Sequence, residues 1–341
     1  MSHVASSIES AGSVLKVEDL RVTYSGRSSL LSGLLGRQAA GARAVDGVSL
    51  DIKRGEITAL AGESGCGKTT LARTMMGLQK PTGGRVLFDG EAIRDLRAYR
   101  RRVQMIFQDP TGALNPRQTI YESVAEGLRI HKVHGGEENR VARALSQAGL
   151  RPPERFFLLY PHEVSGGQRQ RVVIAGALVL EPEVIIADEP VSMLDASVRG
   201  EILRLLLKLR DELGLTILIV THDLGLAWTV ADRVTVMYLG RIVEDGPAEE
   251  VLTNPQHPYT RALLAVVEES PDAERQTRPI LSGEPPDPTR IPQGCRFHPR
   301  CPVVASGRAE RAGILARCTG EDPPLIDVGR DHATACWLSA G

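Results

Sequence analysis

The chain has 341 residues, 42% hydrophobic and 24% charged, with 34 glycines, 21 prolines and a formal net charge of −1. That length suits two domains or one large domain with an appendage, and the ordinary apolar content excludes wholesale disorder. With 41 basic against 42 acidic residues there is no global basic excess of the kind carried by proteins that live on a nucleic-acid backbone. No uncharged apolar run approaches about 18 residues, so the chain is expected to have no membrane span of its own. Residues 1–13 are polar and lack the apolar centre of a signal peptide, which places the expected location in the cytosol.

Residues 13–24 read as a strand on Leu15, Val17, Leu20 and Val22. A Gly/Ser/Arg-rich stretch follows over 25–43, where Leu30, Leu31, Leu34 and Leu35 form a short helical stripe. Strands are predicted at 45–52 and 56–61, and a helix at 69–78 opens on a glycine-rich loop. Further strands at 103–108, 184–188 and 216–221 are separated by helices such as 168–180 and 197–213. This alternation predicts an α/β core with parallel strands. Between 110 and 167 the pattern is mostly helical, which marks a helical insertion. Residues 233–238 and 241–245, split by Leu239-Gly240, read as a hairpin. From 271 the texture changes, and Pro279, Pro285, Pro286, Pro288 and Pro292 mark a linker into a cysteine-bearing tail.

Gly62-Glu63-Ser64-Gly65-Cys66-Gly67-Lys68-Thr69, followed by Thr70, fits the phosphate-cradling pattern between a strand and a helix. Glycines let consecutive N–H groups curl toward a phosphate, and the helix start adds its positive end. Lys68 reaches β- and γ-oxygens in such loops, and the Thr69 hydroxyl ligates Mg²⁺. Cys66 sits at a variable loop position and reads as a passive filler. The apolar run 184–187 ends in Asp188 and Glu189, two acids that can divide labour: Asp188 for the Mg²⁺ shell, Glu189 to orient or deprotonate a water. His222 ends another apolar strand, positioned to contact a γ-phosphate or to order Glu189.

Val164-Ser165-Gly166-Gly167-Gln168-Arg169-Gln170-Arg171 is the signature of the ATP-binding cassette (ABC) ATPases, and residues 14–270 resemble that family's nucleotide-binding subunit. The remaining parts stand in the family's order: Tyr24 as the adenine-stacking aromatic, Gln108 as the Q-loop glutamine and a further Mg²⁺ contact, Ser192-Met193-Leu194-Asp195 as the D-loop, and His222 as the switch histidine. The resemblance implies a RecA-like P-loop NTPase fold of α/β class. It adds an antiparallel β subdomain, a helical subdomain at about 110–170, and a cysteine-rich extension over 271–341. It also implies a head-to-tail pair of cassettes, with ATP between one chain's Lys68 and the other's Ser165, Gly166, Gly167 and Gln168. Asp195 approaches that seam, and Glu189 and His222 are the catalytic pair.

Phe107-Gln108-Asp109-Pro110 with Leu114-Asn115-Pro116-Arg117 lies where such cassettes grip a membrane partner. This wording is similar to oligopeptide and dipeptide importers. So are Asn254-Pro255-Gln256-His257-Pro258-Tyr259-Thr260 and Cys295-Arg296-Phe297-His298-Pro299-Arg300-Cys301-Pro302. The resemblance implies an ATPase subunit at the cytoplasmic face of the cell membrane, with two permease subunits, a second cassette and an external solute-binding protein. Nickel and oligosaccharide importers are close alternatives. The rival class is an ABC ATPase acting on nucleic acid or the ribosome; those commonly fuse two cassettes, and this chain carries one set of motifs.

Cys295, Cys301, Cys318 and Cys336 follow C-x5-C, C-x16-C and C-x17-C spacing, which is neither a zinc ribbon nor a ferredoxin run. In a reducing compartment the cluster reads as a metal or iron–sulfur site before a disulfide framework. Resemblance to the peptide-importer branch implies a [4Fe-4S] cluster, with zinc or free thiols as alternatives. Arg94, Arg97, Arg100, Arg101 and Arg102 read as a solvated helix face rather than a nucleic-acid patch, because no array of stacking aromatics accompanies them.

Overall fold

The computed structural model describes residues 12–24, 41–267 and 286–340. The leucine stripe at 30–35 and the linker over 271–285 lie outside the described residues. Strands β1 (Ser13–Tyr24) and β2 (Ala42–Lys53) pair antiparallel. The core strand β3 (Ile57–Ala61) follows, buried throughout, and hands over to helix α1 (Lys68–Met75). Strands β4 (Gly83–Phe88) and β5 (Glu91–Ala92) then return to β1, completing a four-stranded sheet in the order β2-β1-β4-β5. Helix α2 (Leu96–Arg102), capped by Asp95, leads into β6 (Val103–Ile106).

The helical insertion holds α3 (Pro110–Ala113), α4 (Ile120–Ile130), α5 (Glu137–Gln147) and α6 (Gly166–Leu178). Thr119 and Glu122 form a capping box that starts α4, and Ser165 with Gln168 forms another that starts α6. The apolar faces of α4, α5 and α6 meet in a shared core, where Val124, Leu128, Val141, Leu145 and Ile174 are sealed from solvent.

Strand β7 (Val184–Asp188), helix α7 (Ala196–Leu213), strand β8 (Thr216–Thr221), helix α8 (Leu224–Val230) and strand β9 (Arg233–Tyr238) complete the parallel core. Strand order β9-β3-β8-β7-β6 is parallel throughout. Period-two alternation divides the faces. Ile185, Ala187, Ile217 and Ile219 pack toward the helical insertion, whereas Val184, Ile186, Leu218 and Val220 pack toward β1, β2 and α1. Each such fully buried valine, leucine or isoleucine contributes on the order of 1.5–3 kcal/mol.

Strand β10 (Arg241–Pro247) turns back on β9 as a hairpin. Leu239 (φ 43°) and Gly240 (φ 80°) supply the two left-handed residues its tight turn demands. Helices α9 (Ala248–Thr253) and α10 (Pro258–Val267) cover this end of the sheet. The tail contributes the short helices α11 (Pro302–Ala305), α12 (Arg308–Arg311) and α13 (Leu315–Gly320), then strands β11 (Ile326–Gly329) and β12 (His332–Thr334). Strand β12 pairs with β10, so the tail extends the core sheet to eight strands. Buried Glu244 accepts from His332 Nε2 (2.8 Å), from Gln256 N and from His257 N, which pins the tail strand to the hairpin. Among the described residues no helix is long and apolar enough to cross a membrane.

The basic stretch is a solvated face, with Arg94, Arg97, Arg101 and Arg102 exposed, and Arg97, Arg100 and Arg102 also tie it to neighbouring segments. Arg97 donates to Ile130 O, Arg100 to Gly77 O at 2.8 Å, and Arg102 to Asp89 and Glu183.

Candidate functional site

The loop between β3 and α1 is shaped by glycines that no other residue replaces. Gly67, which starts α1, has φ 112°, and a Cβ there would lie 2.0 Å from Ala44 O. Gly62 has φ 150°, and its Cβ would meet Met237 O at 2.2 Å. The β9–β10 hairpin buttresses the loop from below, with Gly240 N donating to Cys66 O at 2.8 Å. Cys66 is buried there, and burial pushes its thiol up, which suits the filler role.

A cavity of about 590 Å³ opens over this loop, lined by Ser64, Gly65, Lys68, Thr69, Thr70, Gln108, Glu189 and His222 among others. Lys68 is nearly buried, with Nζ donating to Gly62 O (2.7 Å) and Glu63 O (2.8 Å). Thr69 Oγ1 donates to Asp188 Oδ1 at 3.1 Å, placing two hard oxygen donors side by side. Burial raises the Asp188 carboxyl above the usual aspartate range; the Thr69 hydrogen bond opposes this and the charge of Glu189 adds to it.

The two adjacent acids point in different directions because the backbone turns between them. Glu189 has φ 47°, a left-handed conformation that a non-glycine residue holds only under constraint. Its N–H donates to Val220 O at 2.9 Å, and Ser192 Oγ donates to its carbonyl at 3.1 Å. Gln108 Nε2 and His222 Nδ1 then converge on the two carboxylate oxygens, at 2.9 and 3.0 Å. An acid so oriented beside a lysine-lined phosphate loop can position and deprotonate a water.

Tyr24 lies at the rim, 44% exposed, its hydroxyl 3.5 Å from Thr70 Oγ1. Ser165, Gly166, Gly167 and Gln168 do not line this cavity. Ser165 Oγ instead accepts from Gln168 N (3.2 Å), and Gly167 packs on Val198 of α7 with no room for a Cβ. Asp195 starts α7 without a side-chain cap bond, and Arg199 holds the preceding loop through Leu194 O at 2.7 Å.

Sequence reasoning missed several participants. Leu263 of α10 and Ala44 of β2 also line the cavity. Glu63 donates its N–H to Tyr259 Oη (2.8 Å), and its carboxylate pairs with Arg300. Both partners sit inside the two tail motifs, which is where a signal existed.

The four tail cysteines line one apolar cavity with His257, Phe297 and His298, and Cys295 N donates to Cys318 O at 2.9 Å. Burial raises all four thiols, Cys295 to about 12 and Cys336 to about 11. Among the described residues no group of three or more His, Cys, Asp or Glu side chains has the arrangement to hold a metal ion.

The sequence model of the family described as ABC transporter matches residues 45–192, and that described as oligopeptide/dipeptide transporter, C-terminal region, matches 243–307. The oligopeptide transport ATP-binding protein AppF of Bacillus subtilis is 41% identical over 335 residues, spanning 95% of this chain and 97% of that protein. The dipeptide transport ATP-binding protein DppF of Haemophilus influenzae is 45% identical over 266 residues, spanning 76% and 81%. Among solved structures, the dimeric post-hydrolysis cassette MJ0796 bound to ADP and Pi superposes with TM-score 0.59 at 31% identity, covering 69% of this chain and 98% of that one.

Proposed function

The chain belongs to the ABC transporter family, in its oligopeptide and dipeptide branch, and from that premise we propose that it is the ATP-hydrolysing subunit of a peptide importer. The observation that carries this reading is a separation. Lys68, the Thr69–Asp188 pair and the Gln108–Glu189–His222 cluster face one cavity, while the Ser165–Gln168 helix start faces elsewhere. A site split this way is completed by a second cassette, whose Ser165, Gly166, Gly167 and Gln168 offer N–H groups and a helix N-terminus to the nucleotide.

Lys68 takes up β- and γ-phosphate charge, and Tyr24 stacks on the adenine. Thr69 and Asp188, with Gln108 beside them, would hold Mg²⁺, whose bound charge offsets that of the phosphate oxygens. Glu189 orients and deprotonates the attacking water, and His222 positions Glu189 and reads the γ-phosphate. Asp195 meets the seam from the opposite chain. ATP thereby joins two chains and its cleavage parts them, which turns hydrolysis into motion.

The partners are two membrane permease subunits, a second cassette and an extracytoplasmic solute-binding protein, with this chain at the cytoplasmic face of the membrane. Exposed Phe107 beside the Q-loop and exposed Leu158 and Tyr160 on the helical insertion support a membrane-protein dock. The cassette comprises residues 14–270, with the helical subdomain at about 110–170, and 271–341 form the extension. Four cysteines around one apolar cavity support a [4Fe-4S] centre held by Cys295, Cys301, Cys318 and Cys336. Zinc on the same four thiols is the alternative. Anaerobic purification with an absorbance spectrum and iron assay tests the cluster; colourless, iron-free protein rejects it.

Affinity purification followed by reconstitution tests the function. Co-purifying permease subunits and ATP-dependent peptide uptake in proteoliposomes are expected. Ribosomes or nucleic acid in their place would overturn the importer reading.

A further inference from the structure

We propose that Arg300, carried by the tail, is a positioning residue that neutralises and holds Glu63 so that the phosphate loop can accept a polyanion. The inference rests on the reading of the cavity as an ATP site and adds a residue from outside its motifs.

Glu63 is a carboxylate in the lining of the phosphate cavity. Left alone, its negative charge would repel a triphosphate in that cavity. Arg300 meets it with two parallel bonds, NH1 to Oε2 at 2.7 Å and NH2 to Oε1 at 3.1 Å. Such a fork fixes direction as well as charge. Arg300 is only 8% exposed, with its guanidinium 6.0 Å from the Tyr238 ring centre, while the Glu63 side chain is 22% exposed and its charge stays open to screening by salt.

The same residue is held at its backbone. Glu63 N donates to Tyr259 Oη at 2.8 Å, and Glu63 O accepts from Lys68 Nζ at 2.8 Å. Arg300 is thus one residue removed from the lysine that must reach the phosphates. Its own position is set by Phe297, fully buried with its ring 5.2 Å from Tyr238 and 5.3 Å from Tyr259. The tail segment is wedged into the core beside the loop.

The test is equilibrium titration of the full-length chain with Mg²⁺ and adenosine 5′-(β,γ-imido)triphosphate at low and high salt. Arg300→Ala is expected to weaken binding about tenfold at low salt and less at high salt. Adding Glu63→Gln to Arg300→Ala is expected to restore affinity to within about twofold, because the repelling charge is gone. A merely structural arginine would not be rescued by its partner's neutralisation. Should Arg300→Ala fail to fold, Arg300→Gln, which retains much of the stem, is read the same way. Wild-type binding with variants of equal affinity, or a double variant no better than the single, overturns the inference alone. A wild-type chain that binds no nucleotide overturns the site assignment and the inference with it.

Discussion

Gln108 donates to Glu189 Oε2 at 2.9 Å, and with His222 on Oε1 at 3.0 Å the carboxylate has both oxygens engaged. Each oxygen keeps a further lone pair that can accept a proton from water, so Glu189 is aimed by these bonds and still able to act as a base. The left-handed backbone at Glu189 is what turns the carboxylate away from Asp188 and toward these two partners.

Glu189→Gln should therefore leave ATP binding intact while cutting turnover on the order of 10²-fold or more, the weight of a general base. Single-turnover hydrolysis alongside nucleotide titration measures both. Unchanged turnover would remove Glu189 from that role.

The Thr69 hydroxyl bonds Asp188 and adds an oxygen where Mg²⁺ is expected. Thr69→Ala should raise the Mg²⁺ concentration for half-maximal hydrolysis about tenfold, the scale of one charge-assisted bond. Chelation of divalent ions should abolish hydrolysis in the wild type. A magnesium titration unaltered by Thr69→Ala would contradict the assignment.

Ser165 caps α6, so alanine there confounds stability with function. Ser165→Asp preserves the cap, and thermal stability should stay within about 0.5 kcal/mol. Its added charge should nevertheless repel the γ-phosphate across the seam. In a Glu189→Gln background, ATP-driven dimerisation followed by sedimentation should be lost; a dimer that persists would argue against Ser165 at the seam.

His257 is wholly buried, and burial lowers its pKa from 6.5 to about 4, against the opposing pull of Glu244. Its folded pKa lies below its unfolded one, so the unfolded chain binds more protons between these values. The stabilisation is complete above 6.5 and is lost as pH falls toward 4, by up to about 3 kcal/mol. Unfolding midpoints across that window should fall with acidity, and His257→Gln should flatten the slope. An equal slope in both proteins would refute the assignment.

Strands β7 and β8 were legible to the residue because buried parallel strands are nearly continuous apolar runs, and β9 because the Leu239-Gly240 turn marks it as one arm of a hairpin. The phosphate loop was legible because its positive-φ turns place glycines at a fixed spacing, while the close approach of Ala44 O and Met237 O adds a tertiary demand on Gly67 and Gly62. Strands β4, β5, β11 and β12 were not, being two to six residues long and defined by their pairing. The arginine run shows the same limit: its solvated face was legible, but the carbonyls and carboxylates that Arg97, Arg100 and Arg102 reach are brought from elsewhere in the chain.

The order of motifs alone pointed to the family, to a loop suited to phosphate and to residue types suited to cleaving ATP, because each is a short-range pattern written by local chemistry. Which groups actually meet was decided by the tertiary structure. Glu63 and Arg300 stand 237 positions apart, and Gln108, Glu189 and His222 come from three separate strand ends. Side chains that distant become neighbours only when the sheet order and the buried aromatics of the tail bring their backbones together, and no local pattern encodes that approach.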